Sequence, residues 1–557
     1  MSKKSVIFLL SILSLSFFLD VLGIGWGTPG SKRNKLYFEN KEQIKESLRD
    51  ITPEKVRKSK TEYKEELSGS RFNPVRSYHP DESQFIESLS NMNPKKLDFN
   101  PHYFYYGTLY FWFLGLALAI AFLFGLVKLI PDLSFFYFHP EELGRFYIAG
   151  RMVSVVFAVL TCFLVFLIAR KLYGEKKALI SSLFLSLTPI FVINAHYVAV
   201  DITEVFFITL SFFLSLKILE SEKNKWYIFA GIVAGFAGSA KYPGILIILT
   251  IPIASFLKGG KGWANLLRSF LCKKVLLSYL FAIGAFLFTN PFIVTSYNEV
   301  IPYTIAYREQ AEGMQNLDLL GGSLFYLKAL YYGVGLPLLV LSLIGVVYVF
   351  YKKEKGEVLM LFWVIFSFLL VSSISVRSDR YILVIIPFIA ILAAKSLNVF
   401  KNKYLRGGVL AAVSIFSFLY TFAYDQLFIQ ENIRTTAGKW IAENIPQGAK
   451  VGLKRDPYQF ETPPLNHFKY KLCITGTDLE EIRRQSPQYF IVSEIEYRRS
   501  PQIWDEAFEK TGYKIIKDFS HPPKFFGLIP FNHRNVHEDY LYIYPKIWIY
   551  EKVAGCK

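Results

Sequence analysis

Long apolar runs separated by short polar stretches fill the chain from residue 5 to residue 424. Runs near twenty residues long, without the alternation of a strand, predict helices that cross a bilayer. They fall at 5–26 and then at about 103–130, 149–170, 178–196, 202–219, 226–240, 243–258, 274–294, 331–351, 357–376, 380–397 and 406–424, twelve in all within a range of eleven to thirteen. Residues 27–102 interrupt this pattern as a long polar loop, with a surface helix predicted over 40–66. From residue 425 the chain changes character: charge, prolines and short alternating runs such as Tyr489-Phe490-Ile491-Val492 and Ile547-Trp548-Ile549-Tyr550 replace the long apolar stretches. Arg434 to Ile445 predicts an amphipathic helix and Gly448 to Leu453 the strand after it. The expected fold is therefore an α-helical polytopic membrane domain, 1–424, followed by a small α/β domain, 425–557.

Composition sharpens this picture. The 557 residues are 52% hydrophobic, with 52 Phe and 35 Tyr, which suits interfacial aromatic belts as well as a core. A formal charge of +18 is spread over many loops and forms no single patch, so it reads as positive-inside loops and attraction to anionic lipid, and excludes nucleic acid as a partner. Lys3 and Lys4 precede an apolar run that lacks a small-residue cleavage site and contains Asp20, so residues 5–26 are expected to stay as an uncleaved first helix. Lys401, Lys403 and Arg406 mark a cytoplasmic turn. Counting back from it puts the Lys352/Lys353/Lys355, Lys258–Lys274, Lys223/Lys225 and Arg170–Lys177 clusters inside. Residues 425–557, Asp201, Lys241, 295–330 and Arg380 then face the external side. Residues 103–148 break the parity of the forward count unless they hold a half-span or return to the side they left. The four cysteines form no CxxC pair, and Cys473 and Cys556 could bond to each other in an external domain.

Few residues stand out as chemistry. Asp81 and Glu82 follow Pro80 in the polar loop; such a pair can act as a general base near a membrane surface, or can simply open a helix. Asp201, at the start of an apolar run, could be a second acid or another helix cap, and with Asp81 could hold a divalent cation. Arg145, Arg151, Arg377 and Arg380 flank apolar runs, where cations usually snorkel to the interface. Lys241 sits inside Gly238-Ser-Ala-Lys-Tyr-Pro-Gly244, where a charge needs a partner that a lipid phosphate could supply. Gly231 and Gly235 read as close helix packing. His533 and His537 lack a third ligand and are a weak metal signal, and GxxxxGK[ST] is absent, so no nucleotide-triphosphate site is indicated; a divalent cation on Asp81 and Asp201 is the one cofactor left open.

Tyr78-His-Pro-Asp-Glu82 followed by Asn100-Pro-His-Tyr-Phe-Tyr-Tyr-Gly-Thr-Leu-Tyr110 resembles the first external loop of GT-C glycosyltransferases. Gly150 to Phe157, Ala169 to Gly174, His196 to Asp201, Ala237 to Gly244, Asn290-Pro291, Arg380-Tyr381 and Pro387 follow in shared order, and together resemble glycosyltransferase family 39, which includes protein O-mannosyltransferases and lipid A aminoarabinose transferases. Ala437, Trp440 and Gly448 resemble the start of the external C-terminal domain in such proteins. The resemblance implies an inverting transfer from a polyprenyl-phosphate sugar donor to a glycan, lipid or protein acceptor, at the external face of the cell (inner) membrane. It implies Asp81 as the catalytic carboxylate, Glu82 as its companion and Asp201 as the second acid. Lys241, Arg151 and Arg380 would lie near the donor phosphate, with Tyr78, His79, His102, Tyr106 and His196 lining the substrate pocket. Many relatives carry a Pro-Pro pair, often after a lysine, where this chain has Tyr106-Gly107-Thr108, and the acceptor stays open. A transporter or flippase of lipid-linked sugars is the alternative, although acids in a loop and at a boundary differ from the midplane sites of transporters.

Overall fold

The computed structural model describes all residues except 50–72, 222, 261, 313–317, 353, 531–535 and 554–557. Of the helix predicted over 40–66, Lys41–Leu48 is helical. The remainder from residue 50 onward, together with His533 and Cys556, lies outside the described residues.

Among the described residues seven helices are long and apolar enough to cross a membrane: Lys3–Val21, Pro140–Tyr173, Asp201–Glu220, Tyr242–Gly259, Lys355–Ser373, Asp379–Val399 and Lys403–Asn444. Three more spans form only if a bent pair counts as one: Glu175–Ser186 with Pro189–Ala195 (62°), Trp263–Leu271 with Lys273–Thr289 (46°), and Leu319–Val334 with Leu336–Tyr351 (119°). Pro189 explains the first break, because proline opens a new helix more readily than it continues one. Asn224–Ala240, 17 residues, is almost as long. The expected α-helical polytopic membrane protein is what the chain folds into. Within the predicted 103–130 span, only Leu109–Leu123 forms an apolar helix. At 1.5 Å per residue it reaches about 22 Å, short of a ~30 Å hydrocarbon core. That shortfall falls where the topology count breaks parity.

The chain divides into two compact units. The first comprises Met1–Leu22, Met92–Ala117 and Gly150–Asp425; the second comprises Gly23–Asn91, Leu118–Ala149 and Gln426–Lys557.

In the first unit, Asp201–Glu220, Asn224–Ala240 and Lys273–Thr289 pack side by side. A Cβ on Gly231 would lie 2.2 Å from the Ser278 carbonyl oxygen, and one on Gly235 2.4 Å from that of Ala282. Only glycine allows these backbones to meet, so the GxxxG spacing is a packing seam.

The second unit contains a mixed five-stranded sheet with order β2-β1-β3-β7-β4 and a separate β5–β6 hairpin. The strands are β1 Lys450–Leu453, β2 Lys471–Ile474, β3 Tyr489–Ser493, β4 Tyr513–Phe519, β5 Lys524–Phe525, β6 Ile529–Pro530 and β7 Ile547–Lys552. β1 runs parallel to β2 and β3, whereas β7 is antiparallel to β3 and β4. Alternation along β3 sends Ile491 to one face, against Ile441, Val451, Ile547 and Ile549. It sends Phe490 and Val492 to the other, against Trp504, Phe508 and Tyr550. The helix Ile433–Asn444 covers the first face through Ile433, Ala437 and Ile441, at the i, i+4 spacing of an amphipathic helix.

Candidate active site

The two adjacent acids sit at a helix start. Asp81 is the residue before Glu82–Leu89, but its side chain makes no capping bond to that helix. Its side chain thus does not serve as a helix cap, and the residue is half-buried. Glu82 is fully buried and accepts a hydrogen bond from the Ser77 hydroxyl at 2.6 Å. The residues leading into the pair are held firmly. Tyr78 is 1% exposed, with the Arg33 guanidinium 4.7 Å and the Arg434 guanidinium 5.3 Å from its ring centre. Its phenol shares a 2.7 Å hydrogen bond with Thr435, and its backbone N–H donates to the Gly27 carbonyl at 3.0 Å. Burial pushes the Tyr78 phenol above its ordinary range, against the downward pull of Arg33, the Thr435 bond and Arg434, so it stays neutral.

Both guanidiniums are buried, and backbone carbonyls replace the water they lose. Arg33 donates to Gly27 at 3.0 Å, to Asn73 at 3.0 Å, to Pro74 at 3.2 Å and also to Arg76. Arg434 donates to Phe460 at 2.8 and 2.6 Å and to Tyr542 at 3.0 Å. A forked donor suits several carbonyls at once, which a lysine cannot match. His79 is buried, packs edge-on against Tyr542 at 5.6 Å, and accepts from the Asp81 backbone N–H at 3.3 Å through Nδ1. Tyr78 and His79 thus act within the second unit as the platform from which Asp81 emerges. Nothing in the local sequence marks Arg33, Arg434 or Thr435, because they reach Tyr78 across long stretches of chain.

The first unit gathers another set. Lys241 follows the last residue of the helix Asn224–Ala240, and its Nζ lies 2.8 Å from Asp201 Oδ1 and 4.0 Å from Glu204 Oε2. The same ammonium lies 4.5 Å from the centre of the Tyr381 ring. Asp201 is the first residue of its helix and does not cap it; the partner that Lys241 requires is this carboxylate. Glu204 was legible in principle, since Asp201 and Glu204 are three apart and share a helix face. Two carboxyls therefore share one ammonium, with Asp201, Glu204 and Lys241 each less than a tenth exposed. Tyr381 is followed through the 3-10 turn Asp379–Ile385, which brings Arg380 onto the same element. Arg151 is 1% exposed within Pro140–Tyr173.

His102, Tyr106 and His196 belong to this unit as well. His102 Nδ1 meets Glu299 at 2.5 Å, and its carbonyl accepts from the Tyr303 phenol at 3.0 Å. The Tyr106 carbonyl accepts from the Tyr242 phenol at 3.2 Å. A Cβ on neighbouring Gly107 would fall 2.0 Å from the Ser239 carbonyl oxygen, so the position that differs from the Pro-Pro pattern is a tight crossing of backbones. His196 is 1% exposed with its ring nitrogens 2.8 and 3.0 Å from the Val192 and Leu22 carbonyls, a bridge to the end of the first helix.

The residues of the Asp201 cluster do not suit a divalent ion. Lys241 already stands where a cation would neutralise Asp201, and among the described residues no group of three or more His, Cys, Asp or Glu side chains gathers to hold a metal.

The chain is an integral, polytopic α-helical membrane protein. Residues 143–294, which carry Arg151, His196, Asp201 and Lys241, match the family described as dolichyl-phosphate-mannose-protein mannosyltransferase, in agreement with the resemblance drawn from the sequence. A curated protein of Aquifex aeolicus (strain VF5), described as uncharacterized, is 28% identical over 277 residues, 48% of this chain. The chain spans about half the length of that relative, 52%. Among solved structures, ArnT from Cupriavidus metallidurans bound to undecaprenyl phosphate is similar over 100% of this chain and 99% of that one, at a TM-score of 0.47 and 14% identity. The oligosaccharyltransferase AglB from Archaeoglobus fulgidus, in complex with an inhibitory peptide and a dolichol-phosphate, is similar over 95% of this chain and 76% of that one, at 0.46 and 14%.

Proposed function

We propose that the chain is an inverting glycosyltransferase that moves a sugar from a polyprenyl-phosphate donor to a glycan, lipid or protein acceptor at the external face of the membrane. The observation that carries this reading is the family match over 143–294, which contains the buried Asp201–Lys241 pair.

Asp81 takes the proton of the acceptor nucleophile as it attacks the sugar carbon, and Glu82, held by Ser77, fixes the turn that presents it. The leaving group is a lipid phosphate. It needs its charge neutralised rather than a proton, and this role falls to Lys241, Arg151 and Arg380. Asp201 orients Lys241 and does not act as a base, because it already holds the ammonium at 2.8 Å. A sugar phosphate bound outside the cytoplasm requires no nucleotide motif. The alternative, movement of a lipid-linked sugar across the bilayer without transfer, does not use a proton acceptor such as Asp81.

The test is sugar transfer by the purified full chain supplied with a polyprenyl-phosphate sugar. Asp81→Asn is expected to lower turnover by roughly 10²–10⁴-fold, the range of a lost general base, with donor binding retained. Unchanged turnover in that variant would remove the assignment.

A further inference from the structure

We infer that the segment Lys258–Lys274 is a docking surface for an anionic phospholipid leaflet, built on the short helix Trp263–Leu271. This helix joins the candidate span Tyr242–Gly259 to Lys273–Thr289, inclined 46° to the latter. Its apolar residues Trp263, Leu266, Leu267, Phe270 and Leu271 recur at intervals of three and four and fall on one side; Asn265, Arg268 and Ser269 fall on the other. The helix packs against the neighbouring Thr250–Gly259 and Lys273–Thr289 helices, and Ser269 is its buried residue. The apolar side is turned outward: Trp263 is 80% exposed, Leu267 66% and Leu271 72%. A soluble surface would not keep three large apolar groups open at one place.

Charge names the occupant. From 258 to 274 the sequence holds Lys258, Lys261, Arg268, Lys273 and Lys274 and no acid. Lys355, from the start of another candidate span, donates to the Lys258 carbonyl at 2.8 Å and so brings a further cation beside Lys258. Apolar side chains beside a cationic rim are the pattern of a helix lying at the headgroup level of an anionic leaflet, with its long basic side chains reaching the phosphates. The excess of lysine also assigns this end of the spans to the cytoplasmic side. The expected ligand is a phospholipid with a net negative head group, such as phosphatidylglycerol, and neither phosphatidylcholine nor the soluble head group alone.

The test uses the full chain in mixed bilayer discs. Brominated phosphatidylglycerol is expected to quench tryptophan fluorescence more than brominated phosphatidylcholine at equal mole fraction, and Trp263→Phe is expected to remove that excess. In detergent, phosphatidylglycerol is expected to outcompete phosphatidylcholine for retention on the protein. Arg268→Gln with Lys273→Gln and Lys274→Gln should lower this preference by at least tenfold, given about fivefold per cation near the surface. Equal quenching and retention of the two lipids would overturn the proposal. So would quenching unaffected by Trp263→Phe, or retention matched by glycerol phosphate in solution. Neither readout depends on sugar transfer.

Discussion

The two candidate clusters solve the problem of buried charge in opposite ways. Around Tyr78, cations predominate: two guanidiniums face one aromatic ring, and most of their hydrogen bonds go to backbone carbonyls. Around Lys241, acids predominate: two carboxyls share one ammonium. A guanidinium bonded to carbonyls locks backbone segments together, because its partners cannot rotate away. An ammonium between acids holds side chains through charge, and a change in the charge of either partner disturbs it. The first arrangement suits a rigid platform beneath Asp81. The second holds its side chains together by charge, and under the proposed function a lipid phosphate would have to compete with Asp201 for Lys241.

Substitutions sharpen this contrast. The largest effect on stability is expected from Lys241→Met, which strands Asp201 and Glu204 as buried acids. A loss of about 3–5 kcal/mol is expected from the uncompensated charge, read as a fall in thermal midpoint of the full chain in detergent. Asp201→Asn should cost less than half as much, because Glu204 remains 4.0 Å from the ammonium. Equal losses in the two variants would mean that charge does not govern the cluster.

A pH effect of comparable size is expected from the second unit. Burial, reinforced by Glu461, raises the Glu496 carboxyl to about 7 against its bonds to Ser493 and the pull of Arg455. A raised acid favours the folded state while it stays protonated. Its contribution is complete below the ordinary carboxylate value of about 4.5 and is lost as pH rises to about 7. Over that window wild-type stability should fall by roughly 3 kcal/mol at most, and Glu496→Gln should flatten the curve. Thermal unfolding between pH 5 and 8 checks this, and parallel curves would refute it.

Smaller effects test the platform. Arg434→Lys keeps the charge but loses the fork to Phe460 and Tyr542, at a cost of about 2 kcal/mol. Turnover should fall further than donor affinity, because Asp81 is no longer presented at one angle. A rise in donor KM with unchanged kcat would show that Arg434 serves binding instead. Thr435→Val removes only the 2.7 Å bond to the Tyr78 phenol, and about 1 kcal/mol is expected.

What could be read from the sequence followed local pattern. Apolar length located most of the spans, but of the twelve expected the described residues form seven, or ten if each bent pair counts as one, and the helix Leu319–Val334 begins within the stretch expected as an external loop. The strands at Gly448–Leu453, Tyr489–Val492 and Ile547–Tyr550 form β1, β3 and β7 because alternation and burial agree there. Lys241 announced a need for a partner because a lone charge in an apolar stretch is costly. That its partner is Asp201 could not be read, since forty residues separate them. The grouping of Gly23–Asn91 with Gln426–Lys557 in one unit left no local trace either. It rests on contacts such as Tyr78 to Thr435, at 357 residues' separation. Asp20 looked like an interruption of the first apolar run; it is a buried acid accepting from Ser16 at 3.1 Å.

Covalent transfer from a lipid phosphate is the proposed activity. The most direct measurement places the purified chain in sealed vesicles with a labelled polyprenyl-phosphate sugar and an external glycan, lipid or peptide acceptor. Free polyprenyl phosphate should accumulate in step with a glycosylated product of inverted anomeric configuration. Label crossing the bilayer while still attached to its lipid, with no such product, would contradict the account.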